Sequence, residues 1–91
     1  MYAIRVKMKN NCQLSNNLLE IDSIYLTGLR NEGYYKKEVI YDYLKNDGQD
    51  ILVNIRPYPR LQPAVSVNGE KYVRSTGNEY SFDNLLNLPR E

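Results

Sequence analysis

The chain has 91 residues, enough for one domain, and its 12 Lys and Arg residues nearly balance its 11 Asp and Glu residues to a net charge of +1. It contains no His and a single Cys, which excludes His-dependent triads, His-ligated metals and an intrachain disulfide. The near-zero charge argues against bulk nucleic-acid coating and against an anionic membrane surface. We therefore predict one domain over residues 1–91, not an enzyme, with no metal and no cofactor.

The first residues alternate apolar and polar side chains, so they lack the continuous apolar stretch of a signal peptide. No stretch approaches the roughly 18 apolar residues of a membrane span. These patterns predict a cytoplasmic protein with no membrane partner. The 11 Asn and 9 Tyr residues against two Ala indicate an AT-rich coding genome, such as that of a low-GC bacterium or its phage.

Alternation predicts a first strand over residues 2–8, with Tyr2, Ile4, Val6 and Met8 on one face. Residues 18–27 are apolar but change parity, which we interpret as a second strand with a bulge near residues 22–23. A short helix is the competing interpretation, because Leu18 and residues 21 and 25 also have helical spacing. The β-branched and aromatic content favours the strand.

A helix is predicted over residues 35–46, since apolar residues recur at 39, 40, 43 and 44, and Gly48 is a plausible stop. Residues 51–56 alternate and predict a third strand. The prolines at 57, 59 and 63 lack a ladder donor, so residues 57–63 are predicted to form an extended, stiff loop.

Asn68-Gly69 lies between two alternating runs and predicts a β-hairpin with a type I′ turn. After a turn at residues 76–78, Ser81 or Asp83 is positioned to cap one helical turn. The element order β-β-α-β-β-β predicts an α+β domain, with a small, mostly antiparallel sheet, one packed helix and a C-terminal tail. The predicted core comprises Ile4, Val6, Ile21, Val39, Ile40, Leu44, Val53, Ile55, Val65, Val67, Val73, Leu85 and Leu88.

The C-terminal third carries Tyr72-Val73-Arg74 after the Asn-Gly turn, and then an Asn-Leu-x-x-Leu-Pro ending at residues 84–89. This pattern resembles the tail of a family of short bacterial and phage domains of unknown function. The resemblance implies a fold and no activity. The tail could serve as a docking motif, but the spacing of Leu85 and Leu88 favours a structural role in which both residues lie in the core.

The most suggestive binding residues are four cations and two tyrosines between residues 56 and 74, where only Glu70 is acidic. Guanidinium groups beside aromatic rings suit nucleotides and single-stranded RNA. The structural alternative is an ordinary sheet face whose charges Glu79 and Asp83 neutralise. The candidate partner-binding residues are Arg56, Tyr58, Arg60, Lys71, Tyr72 and Arg74.

The acidic residues near the helix and the single cysteine are weaker candidates for a functional site. The acidic residues at 38, 42, 47 and 50 lack the ligand spacing of an EF-hand, and ordinary helix-end charge explains them. Cys12 lies beside a polar turn with no evident base, so a nucleophilic role is not expected.

Missing catalytic residue types and nine tyrosines favour a non-catalytic binding module with a protein or small-ligand partner. The alternative is a nucleotide or single-stranded nucleic-acid binder acting through residues 56–74. The proline loop either presents Arg56, Tyr58 and Arg60 rigidly to a partner or merely blocks strand-to-strand aggregation. The first interpretation predicts that Tyr58 and at least one of the two arginines are exposed.

Overall fold

Six strands and one α-helix form the part of the chain that the computed structural model describes, residues 1–76 and 83–91. In chain order they are β1 (Tyr2–Met8), β2 (Ile21–Thr27), β3 (Gly33–Lys36), α1 (Lys37–Lys45), β4 (Leu52–Val53), β5 (Leu61–Val65) and β6 (Lys71–Ser75). Short 3₁₀ helices span Leu18–Glu20 and Asn84–Asn87. The predicted α+β class is confirmed. Among these residues no helix combines the length and the apolar character that crossing a membrane requires.

The strands form a four-stranded sheet in the order β3-β2-β1-β4 and a two-stranded hairpin of β5 and β6. All pairs are antiparallel except β1 with β4. A bridge between Leu52 and Arg60 joins the two sheets. It is flanked by hydrogen bonds from the Val53 N–H to the Pro59 carbonyl and from the Leu61 N–H to the Ile51 carbonyl, both at 2.8 Å. The hairpin therefore extends the main sheet beyond β4.

The prediction that Tyr2 and Ile4 lie on the same face of β1 as Val6 is wrong. Ala3 and Val6 are fully buried, whereas Tyr2 is 41% exposed. The register explains the difference, because Ala3 pairs with Leu26 and Arg5 pairs with Tyr25, which leaves Ile4 as an extra residue. This bulge reverses the alternation and turns Tyr2 outward.

The bulge predicted in β2 is confirmed. Lys7 pairs with Ser23 and Met8 pairs with Ile21, so Asp22 is the extra residue. The competing helical interpretation holds only for the single 3₁₀ turn at Leu18–Glu20, which ends where β2 begins.

The predicted helix starts two residues too early. Residues 33–36 form the edge strand β3, which pairs with β2, and α1 begins at Lys37. Within the predicted apolar stripe Ile40 is buried, but Val39 is 52% exposed. Pairing with β2 therefore overrides local helical spacing at the start of this segment.

The proline segment differs most from its prediction. The third strand shortens to Leu52–Val53, and the Tyr58 N–H donates to the Ile55 carbonyl at 2.7 Å to close a turn that contains a cis Arg56–Pro57 bond. Residues 61–63, predicted as loop, belong to β5. Pro63 is tolerated there because alternate residues of β5 direct their N–H groups away from β6, as Leu61 does toward Ile51.

The predicted hairpin is confirmed, but its turn is not type I′. The Gly69 N–H donates to the Ser66 carbonyl, and the Ser66 N–H donates to the Glu70 carbonyl, both at 2.9 Å. Gly69 has φ 83°, whereas Asn68 is not among the residues with positive φ. A three-residue loop with glycine in the left-handed region therefore joins the strands.

The tail packs as the structural interpretation predicted. Asp83 caps the second 3₁₀ helix by accepting from the Leu85 N–H, and Leu85 and Leu88 are buried. The chain then pairs with β1, since the Val6 N–H donates to the Pro89 carbonyl at 3.0 Å. Ser81, the other predicted cap, and most of the predicted turn at 76–78 lie outside the described residues.

The core is made by the two sheets, α1 and the tail. Of the predicted core residues, Val39, Val65 and Val67 are exposed, while Ile4, Leu44 and Ile55 are half-buried. The buried apolar residues are Ala3, Val6, Met8, Ile21, Ile24, Leu26, Ile40, Ile51, Val53, Leu61, Val73, Leu85, Leu86 and Leu88.

Candidate binding surface on the outer sheet face

The β5–β6 hairpin has a buried face and an outer face. Val73 and Ser75 on β6 are buried and pair with Pro63 and Leu61. The alternate pairs therefore point to the opposite side, where Arg74 lies across from Gln62 and Tyr72 lies across from Ala64. Arg74 is exposed and Tyr72 is half-buried. The register thus places Tyr72 and Arg74 on one outer face.

Arg60 joins this face through the bridge to β4. Its neighbours in sequence, Pro59 and Leu61, are both buried, whereas Arg60 itself is exposed. Arg60 is opposite Leu52, which in turn pairs with Tyr2 on β1. Paired residues project to the same side of a sheet, so Tyr2, Leu52 and Arg60 form a row across three adjacent segments.

Tyr58 extends the row at its Tyr2 end. The two rings meet edge to face, with centroids 6.5 Å apart and planes at 77°. Tyr58 is 43% exposed, and Arg56 and Arg60 are exposed as well. The predicted exposure of the proline loop is therefore confirmed. However, φ 59° at Tyr58 makes this part of the segment a turn and not the extended, stiff loop that was predicted. We call the surface formed by Tyr2, Tyr58, Arg60, Tyr72 and Arg74 the Arg60 face.

Tyr2 is the member of the Arg60 face that sequence reasoning missed. Simple alternation placed it inside, and only the bulge at Ile4 turns it out. Nothing local in the sequence signals that bulge.

Lys71, one of the predicted binding residues, is directed elsewhere. Its ammonium group lies 2.9 Å from the Asp42 carboxylate on α1 and 5.3 Å from the centre of the Tyr41 ring. The hydrogen bond to Asp42 raises the pKa of Lys71. Its register partner Val65 belongs to the helix-facing side of the hairpin. The structure thus separates Lys71 from Tyr72 and Arg74.

The acidic groups near the Arg60 face are mostly engaged elsewhere. Asp83, predicted to neutralise Arg74, accepts from the Ser75 N–H at 3.0 Å and from the Ser75 hydroxyl at 2.7 Å. Glu79 lies outside the described residues. Arg60 approaches the Asp50 carboxylate at 4.0 Å, with both side chains more than half exposed. Within residues 1–76 and 83–91, neither Arg56 nor Arg74 makes an ion pair.

Glu70, the acidic residue between the predicted cations, is held by two lysines. Its carboxylate lies 3.1 Å from the Lys37 ammonium and 3.2 Å from the Lys9 ammonium. The hydrogen bond from Lys37, followed by that from Lys9, lowers the pKa of Glu70. This anion therefore ties the hairpin loop to the first residue of α1 and to the residue that follows β1, and it does not neutralise Arg60 or Arg74.

Cys12 has an acceptor beside it but no activating base. Its Sγ lies 3.0 Å from the Glu20 carboxylate, which also accepts from the Ser15 hydroxyl. The hydrogen bond to Glu20 raises the pKa of Cys12, so the thiol stays protonated and is a poor nucleophile. Over the described part of the chain, no cluster of three or more Cys, Asp or Glu side chains could hold a metal ion.

Comparison with protein families identifies a family to which the chain belongs by most of its length. The model of a family described as "Protein of unknown function (DUF3892)" matches residues 5–89, a range that contains every member of the Arg60 face except Tyr2. No curated protein and no solved structure matches the chain.

Proposed function

Since the chain belongs to the DUF3892 family, whose description assigns no activity, we propose from the geometry that it is a non-catalytic module that binds single-stranded nucleic acid. The observation that carries the proposal is the Arg60 face, on which two arginines and two tyrosines share one side of the sheet and Tyr58 lies against Tyr2. The proposal thus takes up the nucleic-acid alternative of the sequence analysis in place of the protein or small-ligand partner that was predicted first.

The arginine and tyrosine side chains of the Arg60 face suit the phosphate and the base of a nucleotide, respectively. Arg60 and Arg74 supply guanidinium groups for phosphates, and the acidic residues around them are largely engaged elsewhere. The exposed rings of Tyr2 and Tyr58 offer stacking surface for unpaired bases. A single strand fits the exposed rings better than a duplex, because bases in a duplex are already stacked on one another and do not offer their faces to tyrosine side chains.

The proposal predicts salt-sensitive binding that depends on Arg60 and Arg74. Replacing both with alanine should weaken binding of a labelled oligouridylate or oligothymidylate by about tenfold at physiological salt. The slope of log affinity against log salt should become shallower by about two, one phosphate contact for each arginine. Fluorescence anisotropy at low and at physiological salt measures both quantities.

A charge-matched control is the double change Lys36→Ala with Lys45→Ala, which removes two exposed cations at the two ends of α1, one of which, Lys36, is paired with Asp22 at 2.8 Å. It should retain nearly all the affinity. Equal losses in the two double variants would mean nonspecific attraction, and no binding at low salt would refute the proposal. Capture of an acidic peptide instead of the oligonucleotides would assign the face to a protein partner.

Stacking is tested separately by Tyr58→Ala together with Arg60→Ala. Both side chains are exposed, so the melting temperature should change little. Oligonucleotide affinity should fall further than it does with Arg60→Ala alone, since each stacked base contributes about 1–3 kcal/mol. Unfolding of this variant would show that the loop is structural, and unchanged affinity relative to Arg60→Ala would remove Tyr58 from the binding surface.

A further inference from the structure

A half-open cavity of about 350 Å³ lies between α1 and the connection from β2 to β3, and none of its lining residues belongs to the Arg60 face. Its volume falls in the range of small-molecule sites. Its walls come from the chain start, from β2 and the loop that follows it, from β3 and from one side of α1. The apolar and aromatic lining residues are Met1, Leu26, Leu29, Tyr35, Val39, Ile40 and Tyr43.

The mouth of this cavity exposes side chains that normally pack inside. Val39 is 52% exposed and Tyr43 is 38% exposed, and their spacing of four places them on one side of α1. Val39 was predicted to lie in the core, and it is exposed because β3 and the β2–β3 loop do not close over this side of α1. The result is an apolar hollow that a ligand can fill.

The polar atoms of the lining tyrosines already have partners in the protein. The Tyr35 hydroxyl donates to the Asn31 carbonyl, and the Tyr43 hydroxyl accepts from the Gln49 N–H at 2.9 Å. These hydrogen bonds hold both tyrosine rings in the orientation in which they line the cavity. The tyrosines therefore contribute mainly apolar surface to the cavity.

Arg30 is the one side chain among the lining residues of this cavity that is charged at neutral pH. It is exposed, and among the described residues it makes no ion pair. The acid two positions further on, Glu32, accepts from the Gly28 N–H at 3.0 Å. The guanidinium group is thus free to meet an anion at the edge of a hollow whose other lining residues, apart from Asn31, are apolar or aromatic.

We propose that this cavity binds a small amphipathic carboxylate, with its apolar body between α1 and Leu29 and its carboxylate on Arg30. A guanidinium group matches a carboxylate with two parallel hydrogen bonds, which an alcohol or an amine of the same chain length cannot form. The proposal concerns a second site and does not depend on nucleic-acid binding by the Arg60 face.

Decanoate is a suitable probe, because the chain has two methionines in different surroundings. Met1 lines the cavity, whereas Met8 lies in the core and is 5% exposed. With both methyl groups labelled with ¹³C, decanoate should shift the Met1 resonance saturably and leave Met8 nearly unchanged. Decanol should bind about tenfold more weakly and decylamine more weakly still.

Arg30→Gln should bring decanoate affinity down to that of decanol, and Arg30→Lys should restore part of the difference. Val39→Phe, which adds bulk at the mouth, should weaken all three ligands. Equal binding of decanoate and decanol to the unaltered chain would overturn the proposal, as would parallel shifts of Met1 and Met8. Association with anionic lipid vesicles or self-association without binding of monomeric decanoate would also overturn it.

Discussion

Replacing Asp83 with alanine should lower the free energy of unfolding by about 3 kcal/mol, because it leaves several buried donors without acceptors. The carboxylate accepts from the Ser75 N–H at 3.0 Å, the Ser75 hydroxyl at 2.7 Å and the Leu85 N–H at 2.9 Å. Asp83 is 6% exposed and Ser75 is fully buried, so water cannot readily replace these bonds. The same change removes the cap of the last 3₁₀ helix, which alone is typically worth about 1 kcal/mol.

Asp83→Asn is the matched control. The amide keeps one acceptor oxygen but turns a donor group toward Ser75 or Leu85, so roughly half of the loss should remain. Urea denaturation at neutral pH, with a far-UV circular dichroism readout, measures both variants. A loss below about 1 kcal/mol for Asp83→Ala would mean that the tail is not held to β6 through this carboxylate.

Replacing Lys37 with methionine should cost about 2 kcal/mol at neutral pH. Lys37 is 2% exposed, and its ammonium lies 2.9 Å from the Glu38 carboxylate and 3.1 Å from that of Glu70. Breaking a fully buried pair commonly costs about 3–5 kcal/mol. The expected loss is smaller because Glu70 is 37% exposed and retains Lys9, and because methionine preserves the aliphatic stem of Lys37.

The stabilisation by Lys37 should depend on pH in a defined direction. The hydrogen bond from Lys37 lowers the pKa of Glu70 below its ordinary 4.5. Burial acts to raise the pKa of Glu38, but the hydrogen bond from Lys37, a backbone hydrogen bond and the charge of Lys37 together outweigh it, so that the net pKa is lowered. Groups with a lowered folded-state pKa stabilise the protein above their ordinary pKa, and this stabilisation is lost as pH falls through the folded value.

The difference in stability between the unaltered chain and Lys37→Met should therefore be largest near neutral pH and shrink below about pH 4.5. Burial acts to lower the pKa of Lys37, yet its two carboxylate partners raise it overall. Its contribution should accordingly fade again as pH rises above about 10.5. Urea titrations at acidic, neutral and alkaline pH test this. A difference that does not change with pH would attribute the loss to packing alone.

The local patterns of the chain predict most of its elements. The bulge near Asp22, the hairpin around Gly69 and the cap at Asp83 each depend on residues close in sequence, and each is confirmed. Local turn chemistry and the parity of apolar residues suffice for such features. The C-terminal motif likewise predicted a family of unknown-function domains, which the match over residues 5–89 confirms.

The candidate site was predicted only in part, because local patterns predict which side chains are exposed but not which of them lie on the same surface. Exposure of Arg56, Tyr58 and Arg60 follows from a proline-rich turn. Which cations share a surface, however, depends on register between strands far apart in the chain. The bridge from Leu52 to Arg60 brings Tyr2 to the site, while an ion pair with Asp42 takes Lys71 out of it.

By itself, the sequence determined the α+β class, the hairpin, the bulge in β2 and the buried tail. Each of these features depends on residues that are only a few positions apart in the chain. Tertiary structure decided the edge strand β3, the outward turn of Tyr2 and the hollow beside Val39. The first two features depend on which strands pair with each other. The hollow depends on how much of α1 the neighbouring strand and loop leave uncovered. Segments far apart in the chain compete to pair with the same backbone donors and acceptors. A local sequence pattern therefore does not predict which segments will pair.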